Sequence, residues 1–211
     1  MKPSVTLICG RSGSGKTTFA ARYLLNTPAD VRLVFDPDRE FAALLAQPQA
    51  ETLTEIDLAV RAGWCLVDPD GIWPDRKNAF DRFCTLAWAF SEHISGRKIM
   101  VVDEVWQYCD PYKIPETLAH CVQQGRKRGL ETVFITQRPQ RLNQSLLGQC
   151  TELVSFSLQE PRGLDALTSL GIDPAPLPSL PFHTWRAWNL LSGGTHYGTL
   201  RAPRGPLAPS H

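Results

Sequence analysis

A glycine-rich loop near the amino terminus constrains this chain more than any other feature of its sequence. Its eight residues satisfy the pattern GxxxxGK[ST] and read Gly10-Arg11-Ser12-Gly13-Ser14-Gly15-Lys16-Thr17. The apolar run Val5–Cys9 precedes the loop, and a segment of helical character, Lys16–Leu25, follows it. In this order of strand, loop and helix, the backbone N–H groups converge on phosphate oxygens at a helix amino terminus. We therefore predict a phosphate-binding loop.

The last residues of this loop have separate predicted roles. Lys16 is long enough to reach the β- and γ-phosphates of a nucleotide, and the Thr17 hydroxyl is a suitable ligand for Mg²⁺. The expected ligands are therefore ATP and Mg²⁺. The residues expected to contact the nucleotide are Gly10, Arg11, Ser12, Gly13, Ser14, Gly15, Lys16, Thr17 and Thr18.

A second apolar strand, Ile99–Val102, ends in two acids, Asp103 and Glu104. In a parallel sheet this places carboxylates at the same edge as the phosphate loop. Asp103 is expected to hold Mg²⁺, through water, and Glu104 to polarise the water that attacks the γ-phosphate. The pair favours hydrolysis over transfer to another acceptor. Helix capping or a surface charge is the alternative reading of such acids.

Other acids also follow apolar runs. Asp36 and Asp38 follow the predicted strand Val31–Phe35, and Asp68 and Asp70 follow Trp64–Val67. Prolines lie next to these acids, which is typical of turns. We expect most of them to be structural, although Asp36 could lie near the nucleotide.

Apolar runs alternate with helical segments along most of the chain. Strands without internal polar alternation, separated by helices, indicate a parallel sheet that is covered on both faces. The predicted fold is α/β, a P-loop NTPase with a mostly parallel sheet between two helical layers and a C-terminal β-hairpin. The further predicted helices are Glu40–Ala46, Arg76–His93, Pro115–Arg128, Leu142–Gly148 and Arg162–Leu170, and the further strands are Thr132–Thr136 and Leu153–Leu158.

The carboxyl-terminal region differs in composition from the rest. Residues 1–172 form the predicted ATPase domain, and residues 173–181 carry four prolines and are predicted to be a rigid linker. Residues 182–201 are predicted to form a β-hairpin in which His183–Leu191 and His196–Arg201 flank a Ser-Gly-Gly turn. Residues 202–211 are predicted to be a disordered tail.

Composition excludes several classes of protein. The 22 basic and 21 acidic residues give a net charge of +1, which excludes a strongly basic coat protein and an acidic disordered chain. No apolar run approaches the roughly 18–20 residues that cross a bilayer, and no secretory leader is recognisable. We expect a cytoplasmic protein without its own transmembrane segment. The six cysteines are scattered and are expected to be buried thiols.

A polar residue also ends the strand Thr132–Thr136. The amide of Gln137 is expected at the same edge as Lys16 and Asp103, where it can hydrogen-bond both the γ-phosphate and the attacking water. A turn-capping role is the simpler alternative. Upstream of this strand lies the basic stretch Gly125-Arg126-Lys127-Arg128-Gly129, and Arg138-Pro139 follows Gln137.

The order GRSGSGKT, VVDE, GRKRG, ITQRP resembles the FtsK–HerA superfamily of DNA-pumping ATPases. The resemblance spans about residues 5 to 170, and VVDE followed by ITQRP is its specific part. In its compact size the chain is most similar to the genome-packaging ATPases of membrane-containing icosahedral viruses with double jelly-roll capsids. The assembly ATPases of filamentous phages are similar in their core but normally carry a transmembrane segment.

The resemblance implies a double-stranded DNA translocase that acts as a homo-oligomeric ring. Gln137 would be its sensor residue, and Arg126 or Arg128 would be an arginine finger acting in trans, with Arg138 a weaker candidate. A viral capsid or membrane portal protein would be a further partner, at a virion or procapsid vertex. A finger of this kind accelerates hydrolysis by about 10³–10⁵.

The near-zero net charge conceals a polarity along the chain. Residues 30–75 contain ten acids and three arginines, whereas residues 122–141 contain five basic residues and one acid. The basic residues of 122–141 are predicted to lie beside the nucleotide edge, where they could contact DNA or a neighbouring subunit. The alternative is a solvated helix end, at which basic residues are favourable in themselves. Trp185 and Trp188 in the hairpin are expected to pack in preference to stacking on bases.

Two other functions remain open from the residues alone. One is a small phosphotransferase such as a nucleoside or nucleotide kinase, for which Arg76–His93 and Arg126–Arg128 would supply the lid and acceptor pocket. The other is a regulatory NTP-binding module whose turnover is accelerated by a protein partner. Acceptor screening and stimulation by duplex DNA distinguish these functions from a translocase.

Overall fold

The computed structural model describes residues 4–109, 112–201 and 207. These residues form one sheet of nine strands in the order β3-β4-β2-β5-β6-β1-β7-β8-β9. The strands are β1 (Val5–Cys9), β2 (Val31–Phe35), β3 (Gln49–Ala50), β4 (Trp64–Val67), β5 (Lys98–Val102), β6 (Leu130–Thr136), β7 (Glu152–Ser155), β8 (Thr184–Asn189) and β9 (Thr195–Thr199). All pairs from β1 to β7 are parallel, and β8 and β9 are antiparallel. The predicted mostly parallel α/β sheet is thus confirmed.

Helices cover both faces of the sheet because its central strands are apolar on both sides. Successive residues of β1 divide between the two cores, with Leu7 in one and Ile8 in the other. No helix within the described ranges is long and apolar enough to cross a membrane. The helices are α1 (Lys16–Asn26), α2 (Glu40–Leu45), α3 (Leu53–Arg61), α4 (Pro69–Ile72), α5 (Arg76–His93), α6 (Glu116–Gln124), α7 (Gln144–Leu147) and α8 (Pro161–Thr168).

Two helical predictions need correction. The segment predicted as one helix over Pro115–Arg128 is α6 followed by a 3-10 turn, Gly125–Arg128. Gly129, at φ 73°, then turns the chain into β6. The predicted helix Leu142–Gly148 is reduced to the four residues of α7, and a 3-10 turn that begins at Pro139 precedes it. Elsewhere the predicted bounds agree to within a few residues.

The sequence prediction missed the short strand β3 and the helices α3 and α4. The start of α3 carries a recognisable signal, because Thr52 accepts a hydrogen bond from the Glu55 backbone N–H at 3.2 Å. Glu55 in turn accepts from the backbone N–H of Glu51 at 2.7 Å. This pattern closely follows the capping box that begins many helices. Buried Ile56 and Val60 then face the core.

The predicted C-terminal hairpin is present and extends the main sheet. β8 pairs with β7, so the hairpin continues the sheet beyond the parallel strands. Trp185 packs edge-on against Phe19 of α1 with 5.1 Å between ring centroids, and Trp188 packs against the opposite core. These contacts favour the packing role over base stacking.

The segment before the hairpin is attached to the core. Leu177 is fully buried, and the carbonyl of Leu177 accepts a hydrogen bond from the Leu158 N–H at 3.4 Å. The division into residues 1–172, 173–181 and 182–201 remains a prediction. Except for Leu207, whose N–H donates to the carbonyl of Leu44 at 2.7 Å, residues 202–211 lie outside the described residues.

All six cysteines are free and buried, as expected from their scatter in the sequence. Burial raises the pKa of the Cys9 thiol to about 11, since an apolar environment disfavours the thiolate. A protonated, inaccessible thiol is a poor nucleophile and a poor metal ligand. These cysteines therefore contribute to packing.

Candidate functional site

The sheet topology brings the loops after β1, β5 and β6 to one edge. β6 lies between β5 and β1, and all three run parallel, so their carboxyl ends meet. The register pairs Cys9 with Thr136 and Val102 with Phe134. Asp103, Glu104 and Gln137 follow these strand ends directly. This edge of the sheet therefore carries the phosphate loop, both acids and the glutamine together.

The backbone of the phosphate loop requires glycine at two critical positions. Gly10 has φ 145°, and a Cβ there would lie 2.7 Å from the Cβ of Phe156. Gly15 has φ 105°, and a Cβ there would approach Leu200 to 3.0 Å. Both are conformations that other residues rarely adopt. The Ser14 hydroxyl is buried inside this curve with no hydrogen-bond partner among the described residues, as expected of a loop shaped to enclose phosphate.

Lys16 and Thr17 begin α1 directly after the loop. Lys16 is only 7% exposed, and its Nζ donates to the carbonyl oxygen of Arg11 at 3.2 Å. The Thr17 hydroxyl donates to Oδ2 of Asp103 at 3.3 Å. A hydroxyl and a carboxylate oxygen in contact are the hard oxygen ligands that Mg²⁺ prefers. The residues present therefore fit a nucleotide with its Mg²⁺, which Thr17 and Asp103 would hold.

The carboxyl group of Asp103 is in an unfavourable place for a charge. Burial, followed by repulsion from the neighbouring Glu104 carboxylate, raises its pKa to about 7. The backbone N–H of Glu104 donates to Oδ1 of Asp103 at 2.8 Å and opposes this effect. A bound cation would favour the ionised form, because it would add to the opposing effect of the Lys16 charge, which is smaller than that of burial. The site is thus arranged for a cation.

Asp103→Asn should alter the pH dependence of stability in the nucleotide-free protein. Because the pKa of Asp103 is raised on folding, its destabilising effect grows as pH rises from about 4 to about 7. We expect the variant to be about 2–4 kcal/mol more stable than wild type at pH 8, and nearly equal at pH 4. Urea unfolding at both pH values measures this. A difference that is independent of pH would contradict the assignment.

Glu104 is held in a defined and strained conformation. Its backbone lies in the left-handed region, at φ 43° and ψ 46°, which is uncommon for a residue with a Cβ. One carboxylate oxygen, Oε2, accepts from the indole Nε1 of Trp106 at 2.6 Å and from the backbone N–H of Gln137 at 3.2 Å. Such outliers concentrate at functional sites. The two donors join the end of β5 to the end of β6.

These groups surround a cavity of about 550 Å³. The predicted residues that line it are Ser12, Gly13, Gly15, Lys16, Thr17, Thr18, Asp103, Glu104 and Gln137. Gly10, Arg11 and Ser14 belong to the loop but do not line the cavity. The sequence prediction missed several other lining residues, which are Asp38, Glu40, Ala43, Leu44, Gln107 and His183.

Two of the missed residues had a signal in the sequence. Asp38 and Glu40 follow β2, whose carboxyl end lies at the same edge as that of β5. The nearby Asp36, which was the expected candidate, instead caps α2 by accepting from the N–H groups of Phe41 and Ala42 at 3.1 and 2.9 Å. Asp36 therefore has the structural role that was expected for most of these acids, because its carboxylate caps α2 and does not line the cavity.

His183 had no such signal, because it comes from a distant part of the chain. Its Nδ1 lies 3.2 Å from the carbonyl oxygen of Ser14 in the phosphate loop. The adjacent Phe182 ring lies 4.6 Å from the Arg11 guanidinium carbon. The segment that enters the hairpin therefore packs on the outside of the phosphate loop, through contacts between residues about 170 positions apart.

The basic stretch 125–128 lies away from the cavity, so its predicted position beside the nucleotide edge was wrong. It precedes β6, whereas Gln137 follows that strand. β6 has seven residues, and at about 3.3 Å per residue the two edges are roughly 20 Å apart. Arg128 pairs with Glu92 at 2.5 Å and stacks on Trp88 at 3.7 Å. Arg126 is exposed and has no ion pair within the described part of the chain.

Comparison with known proteins gives one curated relative by sequence. Over 152 residues the chain is 28% identical to Protein P9 of Pseudoalteromonas phage PM2. The match covers 68% of this chain and 64% of P9, so the chain spans about two thirds of its relative's length. No family model matches the chain.

Comparison with solved structures gives neighbours over the whole fold. The genome-packaging NTPase B204 of Sulfolobus turreted icosahedral virus 2 superposes with a TM-score of 0.74, at 14% identity and over 100% of both chains. VirB4 of Thermoanaerobacter pseudethanolicus superposes with a TM-score of 0.66, at 14% identity over 95% of this chain and 90% of VirB4. The chain thus has the α/β fold of these P-loop NTPases, and the resemblance to viral genome-packaging ATPases that its sequence indicated is confirmed.

Proposed function

We propose that this protein hydrolyses ATP and uses the energy to move double-stranded DNA, as a subunit of a viral genome-packaging motor. The observation that best supports this proposal is a single cavity lined by Lys16, Thr17, Asp103, Glu104 and Gln137. A phosphate loop alone is common to many functions. An acid placed to activate water, next to a glutamine on the neighbouring strand, favours hydrolysis.

Each residue has a separate role in the proposed reaction. Lys16 and the loop N–H groups neutralise charge on the β- and γ-phosphates. Thr17 and Asp103 would hold Mg²⁺, and the bound cation would supply positive charge that offsets the negative charge of the phosphates. Glu104 accepts the proton of the attacking water, and the Gln137 amide orients that water against the γ-phosphorus. ADP and phosphate leave as products.

The B204 proteins support the coupling to DNA. B204 of Sulfolobus turreted icosahedral virus is described as a DNA-packaging ATPase. The genome-packaging NTPase B204 of Sulfolobus turreted icosahedral virus 2 has been crystallised with AMPPCP and with ATP-γS. Protein P9, the relative by sequence, comes from a phage and supports a viral setting. From the resemblance of its motifs to the FtsK–HerA superfamily, we further propose that the active form is a ring of identical subunits in the host cytoplasm, at a procapsid or virion vertex, with a capsid or membrane portal protein as partner.

Duplex DNA should stimulate the ATPase rate of the purified, oligomeric protein, and salt should remove this stimulation. Each phosphate contact contributes about 0.9 to the slope of log affinity against log salt. We therefore expect the stimulation to fall steeply between about 50 and 200 mM salt, while the DNA-free rate changes little. ATPase assays with and without duplex DNA across salt measure both quantities.

Two results would contradict this proposal. ATP turnover that duplex DNA leaves unchanged, but that a protein partner accelerates, would indicate a regulatory module. Transfer of the γ-phosphate to a nucleoside or nucleotide, detected in an acceptor panel, would indicate a phosphotransferase. Glu104 in the cavity argues against the second outcome, because it favours water as the acceptor.

A further inference from the structure

A second groove, beside the nucleotide cavity, is lined by arginines without acidic partners. It has a volume of about 660 Å³ and shares Ser12 and Gln137 with the nucleotide cavity. None of its guanidinium groups forms an ion pair with a carboxylate in residues 4–109, 112–201 or 207. We name it the arginine groove, after Arg11, Arg138, Arg141 and Arg162.

The groove has hydrogen-bonding groups that the described residues leave unsatisfied. Nε of Arg11 and Oε1 of Gln140 are buried and have no hydrogen-bond partner there. Such groups carry a desolvation cost until they are satisfied, which a phosphate oxygen can do for the Arg11 N–H and a water molecule for the Gln140 oxygen. Glu160 is the single acid of the lining, and its carboxylate accepts from the N–H of Gly163 at 2.6 Å to cap α8. The groove is therefore a concentration of positive charge.

The lining indicates what kind of partner fits. Leu158 is its single apolar side chain apart from the stems of longer residues. The cores of protein–protein interfaces are apolar and rich in aromatic anchors, which this groove lacks. Guanidinium groups bind phosphate through two parallel hydrogen bonds, so several unpaired arginines in one groove favour a chain of phosphates.

Two arginines of the groove also contact the residue that holds Glu104. The guanidinium carbons of Arg138 and Arg141 lie 5.0 and 4.8 Å from the ring centroid of Trp106. The Nε1 of that same ring donates to Oε2 of Glu104 at 2.6 Å. A continuous series of contacts thus runs from the groove through one indole ring to the acid of the nucleotide cavity.

We propose that the arginine groove binds the phosphodiester backbone of duplex DNA and that Trp106 makes the position of Glu104 depend on this binding. The inference rests on the proposed function and names the site through which DNA would act. Trp106 is a positioning residue: without DNA its N–H holds Oε2 of Glu104 and fixes the orientation of the carboxylate, which must turn to accept the proton of the attacking water. Phosphates that draw Arg138 and Arg141 from the ring weaken this restraint.

The first test measures DNA affinity in the groove. Arg162→Ala should weaken binding of a fluorescently labelled duplex by about three- to tenfold and reduce the salt slope by about 0.9, the loss of one phosphate contact. Arg61→Ala is the control, since Arg61 is exposed but pairs with Asp57 on α3. Anisotropy titrations across salt give both values.

The outcomes of this test separate the two proposals. If the wild type binds duplex DNA and Arg162→Ala leaves the DNA affinity and the salt slope unchanged, the groove is not the DNA site. The translocase proposal would still stand. If the wild type itself neither binds nor responds to duplex DNA, the translocase proposal fails and the groove assignment fails with it.

The second test removes the indole N–H while keeping an aromatic ring. Trp106→Phe should raise the DNA-free ATPase rate towards the DNA-stimulated rate, so that the fold stimulation by DNA declines although DNA affinity is retained. Trp64→Phe is the matched control, because Trp64 also stacks with an arginine, Arg32 at 4.5 Å, but begins β4 far from Glu104. The control should leave both rates unchanged.

A direct measurement on the Trp106 ring complements the ATPase rates. In protein labelled with 5-fluorotryptophan, the ¹⁹F resonance that Trp106→Phe removes should shift on addition of duplex DNA, whereas the resonance that Trp64→Phe removes should not. An unchanged stimulation ratio in Trp106→Phe, a ratio that falls without a rise in the DNA-free rate, or an unshifted Trp106 resonance would each overturn the proposed link.

Discussion

Replacing Glu104 by glutamine is expected to leave ATP binding intact and to slow hydrolysis by about 10²- to 10⁴-fold. The amide keeps the shape of the side chain, and its oxygen can still accept from Trp106 and from the N–H of Gln137, as Oε2 does in the wild type. What it loses is the capacity to take a proton from water. Nucleotide binding by fluorescence and single-turnover hydrolysis measure the two effects separately.

A matched substitution controls for a general effect of charge removal. Glu116 is exposed at the start of α6 and does not line the cavity, and Glu116→Gln should bind and hydrolyse ATP as the wild type does. Normal turnover in Glu104→Gln would exclude Glu104 as the base. Loss of ATP binding in that variant would indicate that Glu104 maintains the structure of the cavity.

The second large loss of ATPase activity is expected on replacement of Arg126, which would act on the nucleotide of a neighbouring subunit. Arg126→Ala should slow hydrolysis by about 10³- to 10⁵-fold if this residue is the finger that stabilises charge on the transferring phosphoryl group. Its place at the amino edge of β6 puts it roughly 20 Å from its own phosphate loop, so it can act only on another copy. Arg128 is the poorer candidate, since Trp88 and Glu92 already engage it.

Mixing two inactive variants distinguishes action in trans from misfolding. Lys16→Ala removes the proposed phosphate ligand but still presents Arg126, whereas Arg126→Ala keeps an intact cavity. Mixed oligomers should therefore hydrolyse ATP well above either variant alone. Lys127→Ala, the exposed neighbouring position, serves as the control and should remain active. Mixed oligomers as inactive as their parents would exclude a finger at Arg126.

Local patterns predicted the parts of the site that depend on neighbouring residues. The phosphate loop is continuous in sequence, and the acids of Asp103-Glu104 directly end an apolar strand. Chain direction then places Gln137 correctly, because parallel strands bring their carboxyl ends together. Helix α3 was also predictable from the sequence, although it was missed, since Thr52 and Glu55 form its amino-terminal cap.

Other features depend on contacts between distant residues and had no local signal. His183 reaches the phosphate loop from 169 positions away, and Arg141 meets Trp106 across two different loops. The basic residues of 122–141 looked like one patch in the sequence, yet β6 separates them. Arg126 lies at one edge of the sheet, and Arg138 and Arg141 lie at the other.

The sequence by itself determined the α/β class, the phosphate loop and the acids that face it, because hydrophobic periodicity and glycine conformation act over a few residues. Only the tertiary structure decided the strand order, the arginine groove and the indole that joins this groove to Glu104. Those features arise from side chains that meet after the sheet has formed, and their pairing depends on the packing of the whole chain.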